Sequence, residues 1–341
     1  MRATGLATLK DVFRPRTAVP PRRTYVDFVF GLDYLSVNSS LLRIMHRAMS
    51  AYGLSCLLIN QSSVGQTLDR VRRGRLKPLV YLDLCSRPGD VFTDLLRALA
   101  GQGAHTLCDP AALRWTFKAY AHPRLEAAGL PLPPSVILSK DEADRELTPD
   151  ERARIGDLCV IKPSYGVAGL GAVIGVPPTR DQVMIARDYD RNDDWLIQKM
   201  IRWTRFGDRQ AYLRGYNVLG HRTLMWWSGQ AGYAPVTWDD FRRYDLLGAV
   251  ELIDRVAATT GVEFFSSEIA ITSQTPGPDR YCLIDYVNDQ CDLDCQGAPD
   301  RAPPASWVAW VCDRLAEFTW RTKHGLPRKT AGTLFLADAA D

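Results

Sequence analysis

Apolar and polar positions follow two alternating patterns in the first third of the chain. Short apolar runs typical of buried strands alternate with segments in which apolar residues recur every three to four positions, as in helices. The runs span residues 25–32, 54–60 and 77–85, and the helical segments span residues 41–53 and 90–103. Strands that alternate with helices are typical of a largely parallel sheet. The pattern therefore predicts an α/β domain over residues 25–108.

Beyond that domain the patterning favours strands that follow one another directly. A helix is predicted over residues 109–129, with Asp109 as its N-cap and Pro110 in its first turn. Residues 209–228 have the pattern of a hairpin that turns at Gly220. Further strands are predicted at 130–139, 159–163, 195–201, 264–272 and 280–288, and further helices at 245–261 and 306–322. The short turn between the strands at 264–272 and 280–288 predicts that these two strands pair antiparallel.

These elements suggest a division of the chain into five parts. The expected parts are an Arg/Pro-rich lead-in over 1–24, the N-terminal α/β domain over 25–108, one subdomain over 109–200, a second over 201–325 and a loose tail over 326–341. In the closing helix, an apolar stripe from Trp307 to Phe318 is expected to pack in a core rather than bind a cofactor.

Composition narrows the class of protein. A chain of 341 residues with 46% hydrophobic and 24% charged residues is globular rather than disordered. Its net charge of +3 gives no indication of a nucleic-acid partner. Eight cysteines without a C-x-x-C pair suggest a reducing compartment, and no apolar run is long enough to span a membrane. Because the first residues also lack the apolar centre of a signal peptide, we expect a cytoplasmic location.

The segment 159–173, CVIKPSYGVAGLGAV, suggests a phosphate site. An ammonium group inside a buried strand needs an anion or water, and Lys162 has no acid nearby in sequence. Three glycines follow, Gly166, Gly169 and Gly171, which allow backbone N–H groups to approach phosphate oxygens closely. The spacing is neither that of a Walker A loop nor that of a Rossmann loop. A strand lysine before an ordinary flexible hairpin is the alternative.

Five segments in order resemble the ATP-grasp superfamily. They are FKAYAHPRLEAAGLPLPPS, IKPSYGVAGLGAV, WLIQKMI, LRGYNVLG, and FFSSEIAI followed by CLIDYVND. Together they cover most of residues 105–295. The resemblance implies an ATP-grasp fold, in which two α+β subdomains hold ATP between them and a small α/β domain precedes them.

The resemblance also implies roles for individual residues. Phosphate contacts would come from Lys118, Lys162, Gly166, Gly169 and Gly171, and the adenine edge would meet the backbone of Gln198, Lys199, Met200 and Ile201. Arg214 would lie near the terminal phosphate or the reacting carboxylate, as a catalytic residue together with Lys162. Glu268, Asp285 and Asn288 would hold Mg²⁺, whose preferred ligands are oxygens.

Two features depart from the superfamily pattern. The last acid and the asparagine are usually two residues apart, whereas Asp285 and Asn288 are three apart, which places them on opposite faces of a regular strand. A bulge or the end of the strand would correct this, or Asp289 or Asp292 would replace one ligand. Lys199 also stands where an acidic residue is common, which leaves the ribose contact unassigned.

The resemblance indicates an ATP-dependent carboxylate-amine ligase that forms an amide or peptide bond through an acyl phosphate and releases ADP and phosphate. Its substrates would be a small-molecule acid and an amine, such as an amino acid or a peptide. A kinase of the inositol-phosphate type is the first alternative, because the arginines between 70 and 75 and those at 202, 205 and 209 would suit a polyphosphate. A non-catalytic nucleotide-binding protein is the second. Homodimers are common in the superfamily, but no residue pattern here indicates one.

Overall fold

The computed structural model describes residues 24–32, 39–87, 89–142, 144–166, 169–228, 232–277, 279–295, 302–327 and 332–337. They form two units. The described residues up to Pro110, with 292–295 and 305–327, form the first unit, and the remainder form the second. Except for Thr24, the predicted lead-in lies outside the described residues.

The first unit contains the predicted parallel sheet. Its elements are β1 (Thr24–Gly31), α1 (Ser39–Ala51), β2 (Cys56–Ile59), α2 (Val64–Arg72), β3 (Leu76–Asp83), α3 (Val91–Gly101), β4 (His105–Thr106) and α9 (Ala305–Lys323). The strand order is β2-β1-β3-β4, and all neighbours are parallel. The helix α9 packs against α1, and its apolar stripe is buried as expected. It thus groups with the N-terminal residues, whereas the sequence division had placed it in the second subdomain.

A four-stranded antiparallel sheet forms one half of the second unit. The elements are α4 (Lys118–Ala127), β5 (Ser135–Leu138), α5 (Pro149–Ile155), β6 (Cys159–Pro163), β7 (Val173–Val176), α6 (Arg180–Arg187) and β8 (Trp195–Lys199). The order is β5-β8-β6-β7. One face packs on a core that includes Val136, Ile161 and Trp195. Since side chains alternate along a strand, Lys162 points to the opposite face.

A larger sheet forms the other half. Its elements are β9 (Arg205–Phe206) and β10 (Arg209–Gln210), a separate small hairpin, then β11 (Tyr212–Val218), β12 (His221–Ser228), β13 (Gly232–Pro235), α7 (Trp238–Arg243), α8 (Leu247–Thr260), β14 (Phe264–Ile271) and β15 (Tyr281–Asn288). The sheet order is β13-β12-β11-β14-β15. The predicted hairpin turns at Leu219 and Gly220, both with positive φ, the conformation of a type I′ turn.

The helix predicted over 109–129 is wrong in its first half. A short 3₁₀ turn spans Leu113–Thr116, and α4 begins only at Lys118, so Asp109 caps no helix. Ser164, from the loop after β6, supplies the cap: the Lys118 N–H donates to the Ser164 carbonyl at 2.8 Å, and the Ala119 N–H donates to Ser164 Oγ at 3.1 Å. A contact distant in sequence therefore sets the start of this helix.

The expectation of a loose tail over 326–341 is also wrong for part of that segment. Leu334–Phe335 form β16, which pairs in parallel with Arg222 and Thr223 of β12. Leu336 is buried in the core that α8 covers. Apolar side chains at 334–336 bury surface against this sheet, which stabilises the pairing. Residues 328–331 and 338–341 lie outside the described residues.

Several short elements had no counterpart in the sequence prediction. They are the helices α2, α6 and α7, the strands β4, β7 and β13, and the β9–β10 hairpin. Each is a single short element in a polar or mixed segment, where the apolar period is too brief to recognise. Within the described residues, no helix is both long and apolar enough to cross a membrane.

Candidate functional site

Two lysines from different elements meet at the face of the four-stranded sheet that Lys162 occupies. Lys118 opens α4, and its Nζ lies 3.4 Å from the Gly166 carbonyl oxygen and 3.6 Å from Asp285 Oδ1. Lys162 Nζ donates to the Ile284 carbonyl at 2.9 Å. Both side chains are only 6–8% exposed. Two buried ammonium groups therefore contact the strand segment that contains Ile284 and Asp285.

Two carboxylates and an arginine come together on the larger sheet. Glu268 and Asp285 are direct cross-strand partners, and Arg214 lies opposite Glu268 on the other side. Glu268 forms an ion pair with Arg214 and accepts a hydrogen bond of 2.8 Å from the Tyr212 hydroxyl. Arg214 Nη1 donates to the Tyr233 hydroxyl at 3.1 Å. Glu268 is thus held in a fixed orientation rather than left free in solvent.

A bulge in β15 brings Asn288 to the same face as Asp285. Ser266 pairs with Asn288 and Glu268 pairs with Asp285, so two steps along β14 correspond to three steps along β15. Ser266 and Glu268 share a face of their strand, and the same face must therefore hold Asn288 and Asp285. The extra residue resolves the unusual spacing seen in the sequence. The Asn288 side chain accepts a hydrogen bond from the Gln290 N–H at 3.2 Å.

Burial and neighbouring charges change the protonation of the two central groups. Burial, with a smaller contribution from the positive charge of Lys118, lowers the pKa of Lys162 to about 8, although the negative charge of Asp285 opposes this shift. Burial alone would raise the pKa of Asp285, but Lys118, Lys162 and Arg214 outweigh it and hold that pKa below its usual value. Asp285 therefore remains an anion at neutral pH.

The glycine-rich loop begins at this cluster and is anchored at its start. The Tyr165 N–H donates to Asp193 Oδ2 at 2.6 Å, and the Ser164 N–H donates to the Asp194 carbonyl at 2.7 Å. Gly169 and Gly171 both adopt positive φ, which other residues rarely do. A Cβ on Gly171 would also overlap the Tyr189 ring. Residues 167–168 lie outside the described residues.

The predicted hinge follows the end of β8. The side chain of Gln198 is buried, whereas Lys199 is exposed and donates its N–H to the Pro134 carbonyl at 2.8 Å. The Met200 N–H donates to the Leu158 carbonyl at 3.1 Å. The Ile201 N–H has no hydrogen-bond partner among the described residues, and its side chain packs with Ile284 in a small apolar cluster. A free N–H beside an apolar cluster is the surface that a flat heterocycle requires.

Five side chains of this region were not among the residues assigned to the site from the sequence. Tyr212 and Tyr233 bond to Glu268 and Arg214, Ser164 caps α4, and His122 and Tyr286 are joined by a hydrogen bond of 2.5 Å behind the lysines. Their residue types are common in cores and turns, so no local pattern distinguishes them. The one signal in the sequence is the spacing of four residues between Lys118 and His122, which places both on the same face of a helix.

The charges of the cluster fit a polyphosphate bound with a divalent cation. Lys118, Lys162 and Arg214 supply three positive charges, against two negative charges from Glu268 and Asp285. An excess positive charge in a buried site favours an anion. Among the described residues, no three His, Cys, Asp or Glu side chains gather as a metal site. Two carboxylates with an amide oxygen nevertheless match the donor set of Mg²⁺, which commonly takes its remaining ligands from phosphates and water.

Comparison with solved structures identifies the architecture. A RimK-domain ATP-grasp protein from Sphaerobacter thermophilus matches with a TM-score of 0.59 and 15% identity, over 85% of this chain and 98% of that one. D-alanine–D-alanine ligase from Bacillus anthracis, complexed with ATP, matches with a TM-score of 0.58 and 11% identity, over 88% of this chain and 99% of that one. The ATP-grasp ligase PsnB, complexed with minimal precursor, Mg and ADP, matches with a TM-score of 0.54 and 13% identity, over 87% of this chain and 98% of that one.

No protein-family model and no curated protein matches the sequence. The structural matches extend over nearly the whole length of each neighbour, so the likeness covers the full architecture and not one sheet. At identities of 11–15% they establish the fold. The chain has the ATP-grasp fold with a preceding α/β unit, which confirms the fold that the resemblance implied.

Proposed function

We propose that this chain, with its ATP-grasp fold, is an ATP-dependent carboxylate-amine ligase that forms an amide or peptide bond. One observation supports the proposal above all others: three cations and two carboxylates from five separate elements form one cluster at the start of a glycine-rich loop. Two structural neighbours are ligases whose structures contain ATP, or Mg and ADP.

The proposed roles follow from the position of each group. Lys118, Lys162 and the N–H groups around Gly166, Gly169 and Gly171 would bind phosphate oxygens. The backbone at Gln198, Lys199, Met200 and Ile201 would meet the adenine edge, and the free Ile201 N–H is the donor best suited to it. Glu268, Asp285 and Asn288 would hold Mg²⁺, which would neutralise phosphate charge when bound.

The reaction needs no covalent nucleophile on the protein. An oxygen of the substrate carboxylate attacks the γ-phosphorus, and the bond from that phosphorus to the β–γ bridging oxygen breaks, leaving ADP. The amine then attacks the carbonyl carbon of the acyl phosphate, loses a proton and releases phosphate. Lys118, Lys162 and Arg214 would stabilise the negative charge that develops during these steps. Arg214 is fixed for this role by Glu268 and Tyr233.

The proposed substrates are a small-molecule or peptide-like acid and an amine. All eight cysteines are free thiols, which supports a reducing, cytoplasmic location. The kinase alternative gains no support from the arginines near the hinge, because Arg209 pairs with Asp240 and Arg205 donates to the Asp208 carbonyl. A homodimer remains a proposal from the superfamily alone.

The test is ADP release by the purified protein with Mg-ATP. Hydroxylamine serves as a general amine, because it traps acyl phosphates as hydroxamates and allows acids to be screened before the natural amine is known. We expect ADP and hydroxamate to appear together for a matching acid and to disappear when EDTA removes Mg²⁺. Lys162→Ala should lower turnover roughly 100-fold or more. Lys140→Ala is the control, since Lys140 is an exposed lysine in the turn that follows β5.

Other outcomes would identify the alternatives. ADP release that requires only a hydroxyl compound would indicate a kinase. Stabilisation of the fold by Mg-ATP without turnover across the acid screen would favour a non-catalytic nucleotide-binding protein. An unchanged melting temperature with Mg-ATP would contradict the nucleotide site itself, since a ligand that binds only the folded state must raise it.

A further inference from the structure

Three buried side chains form a hydrogen-bonded chain behind the two lysines. Gln198 Nε2 donates to the Tyr286 hydroxyl at 3.1 Å, and the same hydroxyl lies 2.5 Å from His122 Nδ1. The three residues are 1–3% exposed. An amide nitrogen only donates, so the Tyr286 hydroxyl accepts from Gln198, and we assign its own proton to the bond with His122 Nδ1, the other polar atom bonded to it. In this assignment His122 Nδ1 is the acceptor, and the ring proton resides on Nε2.

The imidazole of His122, one member of this hydrogen-bonded chain, has a polar atom that does not stabilise the fold. His122 Nε2 is buried without a hydrogen-bond partner in the described part of the protein. An unpaired buried N–H is unfavourable, and an apolar side chain of similar size would avoid it. Burial, with the positive charges of Lys162 and Arg154, lowers the pKa of His122 to about 4, so the ring adds no third positive charge beside the lysines. Its contribution is a fixed hydrogen bond.

Tyr286 contacts residues of α4, β6 and β8, three of the elements that contribute to the predicted nucleotide site. Its hydroxyl bonds to His122, one turn along α4 from Lys118, and to Gln198 at the hinge. Its ring centroid lies 5.8 Å from Lys162 Nζ, within the range of a cation–π contact. Its backbone directly follows Asp285. Lys162 Nζ and Gln198 Nε2 also share the Ile284 carbonyl, at 2.9 and 3.5 Å.

We propose that Tyr286, with His122 and Gln198, is a positioning residue that fixes Lys118 and Lys162 relative to Asp285 for nucleotide binding. The inference rests on the proposed function, because it assigns a role within that same site. The positive charges of Lys118 and Lys162 repel each other, and neither ammonium group is held by a bidentate ion pair. A rigid link between their elements keeps both directed at one phosphate group before ATP arrives, which lowers the entropic cost of binding.

The test is a double-mutant cycle on the Kd of Mg-ATP, measured by calorimetry. Tyr286→Phe keeps the ring and removes the hydroxyl, and we expect it to raise Kd about 5- to 20-fold, the scale of a lost hydrogen bond to a positioned group. Lys118→Ala should raise Kd less in the Tyr286→Phe background than in the wild type, by about threefold or more. Tyr281→Phe is the matched control, since Tyr281 lies in the same strand as Tyr286 but donates its hydroxyl to the Asp245 carbonyl, which is not part of the proposed site.

A purely structural role predicts a different result. Multiplicative effects of Tyr286→Phe and Lys118→Ala, or an unchanged Kd in Tyr286→Phe, would overturn the inference while leaving the proposed function intact. Should Tyr286→Phe not fold, the double variant His122→Leu/Tyr286→Phe removes both polar partners together, and the same cycle with Lys118→Ala is then decisive. A wild-type protein that does not bind Mg-ATP would overturn the proposed function and this inference together.

Discussion

At the scale of single residues, Lys162 illustrates how burial prepares a group for a ligand. The residue is 8% exposed, and its ammonium group donates to a carbonyl oxygen, a dipole that compensates only part of the lost hydration. Burial therefore lowers its pKa to about 8. A phosphate oxygen would supply a negative charge beside this ammonium. The incomplete compensation of its lost hydration in the free protein therefore favours the binding of an anion.

The lowered pKa predicts opposite effects of pH on stability and on binding. Between pH about 8 and 10.5, Lys162 is neutral in the folded protein but protonated in the unfolded chain, so unfolding takes up a proton. The contribution of this group to the free energy of unfolding therefore rises with pH in that window. Binding of ATP requires the charged form, so Mg-ATP affinity should fall up to tenfold per pH unit above about 8.

Calorimetric titration with Mg-ATP between about pH 7.5 and 9.5 would check this second effect. Lys162→Arg serves as the control, because a guanidinium stays charged throughout that range and its affinity should be nearly independent of pH. A wild-type profile as flat as that of the arginine variant would show that Lys162 does not contact the phosphates as an ammonium.

At the scale of elements, the start of α4 shows a helix whose boundary depends on another loop. The first two N–H groups of the helix, those of Lys118 and Ala119, both bond to Ser164. Phe117, at the N-cap position, provides no side-chain bond. The same contact joins the helix that presents Lys118 to the beginning of the glycine-rich loop, so local stability and the geometry of the site depend on one residue.

Ser164→Ala should therefore lower both stability and affinity. Loss of the hydroxyl leaves the Ala119 N–H without its acceptor, and helix caps of this kind contribute about 0.5–2 kcal/mol. Urea unfolding should show a decrease of that size in the free energy of unfolding, and the Kd of Mg-ATP should rise. Ser139→Ala is the control, because its hydroxyl bond to Glu142 is exposed and 3.4 Å long. Equal midpoints for the two variants would contradict the role of Ser164 as a cap.

At the scale of the whole molecule, the C-terminal residues contribute to the larger sheet. The Arg222 N–H donates to the Thr333 carbonyl at 2.9 Å, and the Thr333 N–H donates to His221 Nδ1 at 3.2 Å. Gly332 passes so close to the β11–β12 turn that a Cβ there would overlap the Gly220 carbonyl. Residues more than a hundred positions apart in the chain thus complete one side of this sheet.

Gly332→Ala should disturb that docking. Because the clash involves backbone atoms rather than a flexible side chain, we expect a loss of ~1–3 kcal/mol in the free energy of unfolding, the usual range for overpacking. Chemical denaturation with urea would measure it. Gly277→Ala is the matched control, since nothing lies within 4 Å of a Cβ at that position and its φ is not positive. If both variants unfold at the same urea concentration, the contact between Gly332 and the turn contributes nothing.

The sequence by itself determined the features that depend on local periodicity and on the order of motifs. Alternating strands and helices gave the parallel sheet of the first unit, and the turn at Gly220 and the pairing of β14 with β15 were predicted correctly. Five short segments in the right order led to the ATP-grasp fold. Each of these follows from side-chain spacing along one stretch of chain, which the sequence displays directly.

Only the tertiary structure decided the features that depend on contacts between distant segments. Ser164 sets the start of α4, the bulge beside Asp285 returns Asn288 to its face, and β16 docks on β12. Tyr286 acquires its partners from two other elements. Hydrogen bonds and burial between such segments have no local period, because the partners are chosen by three-dimensional packing. The residue types therefore determine which chemical groups the site contains, and the fold determines where those groups lie.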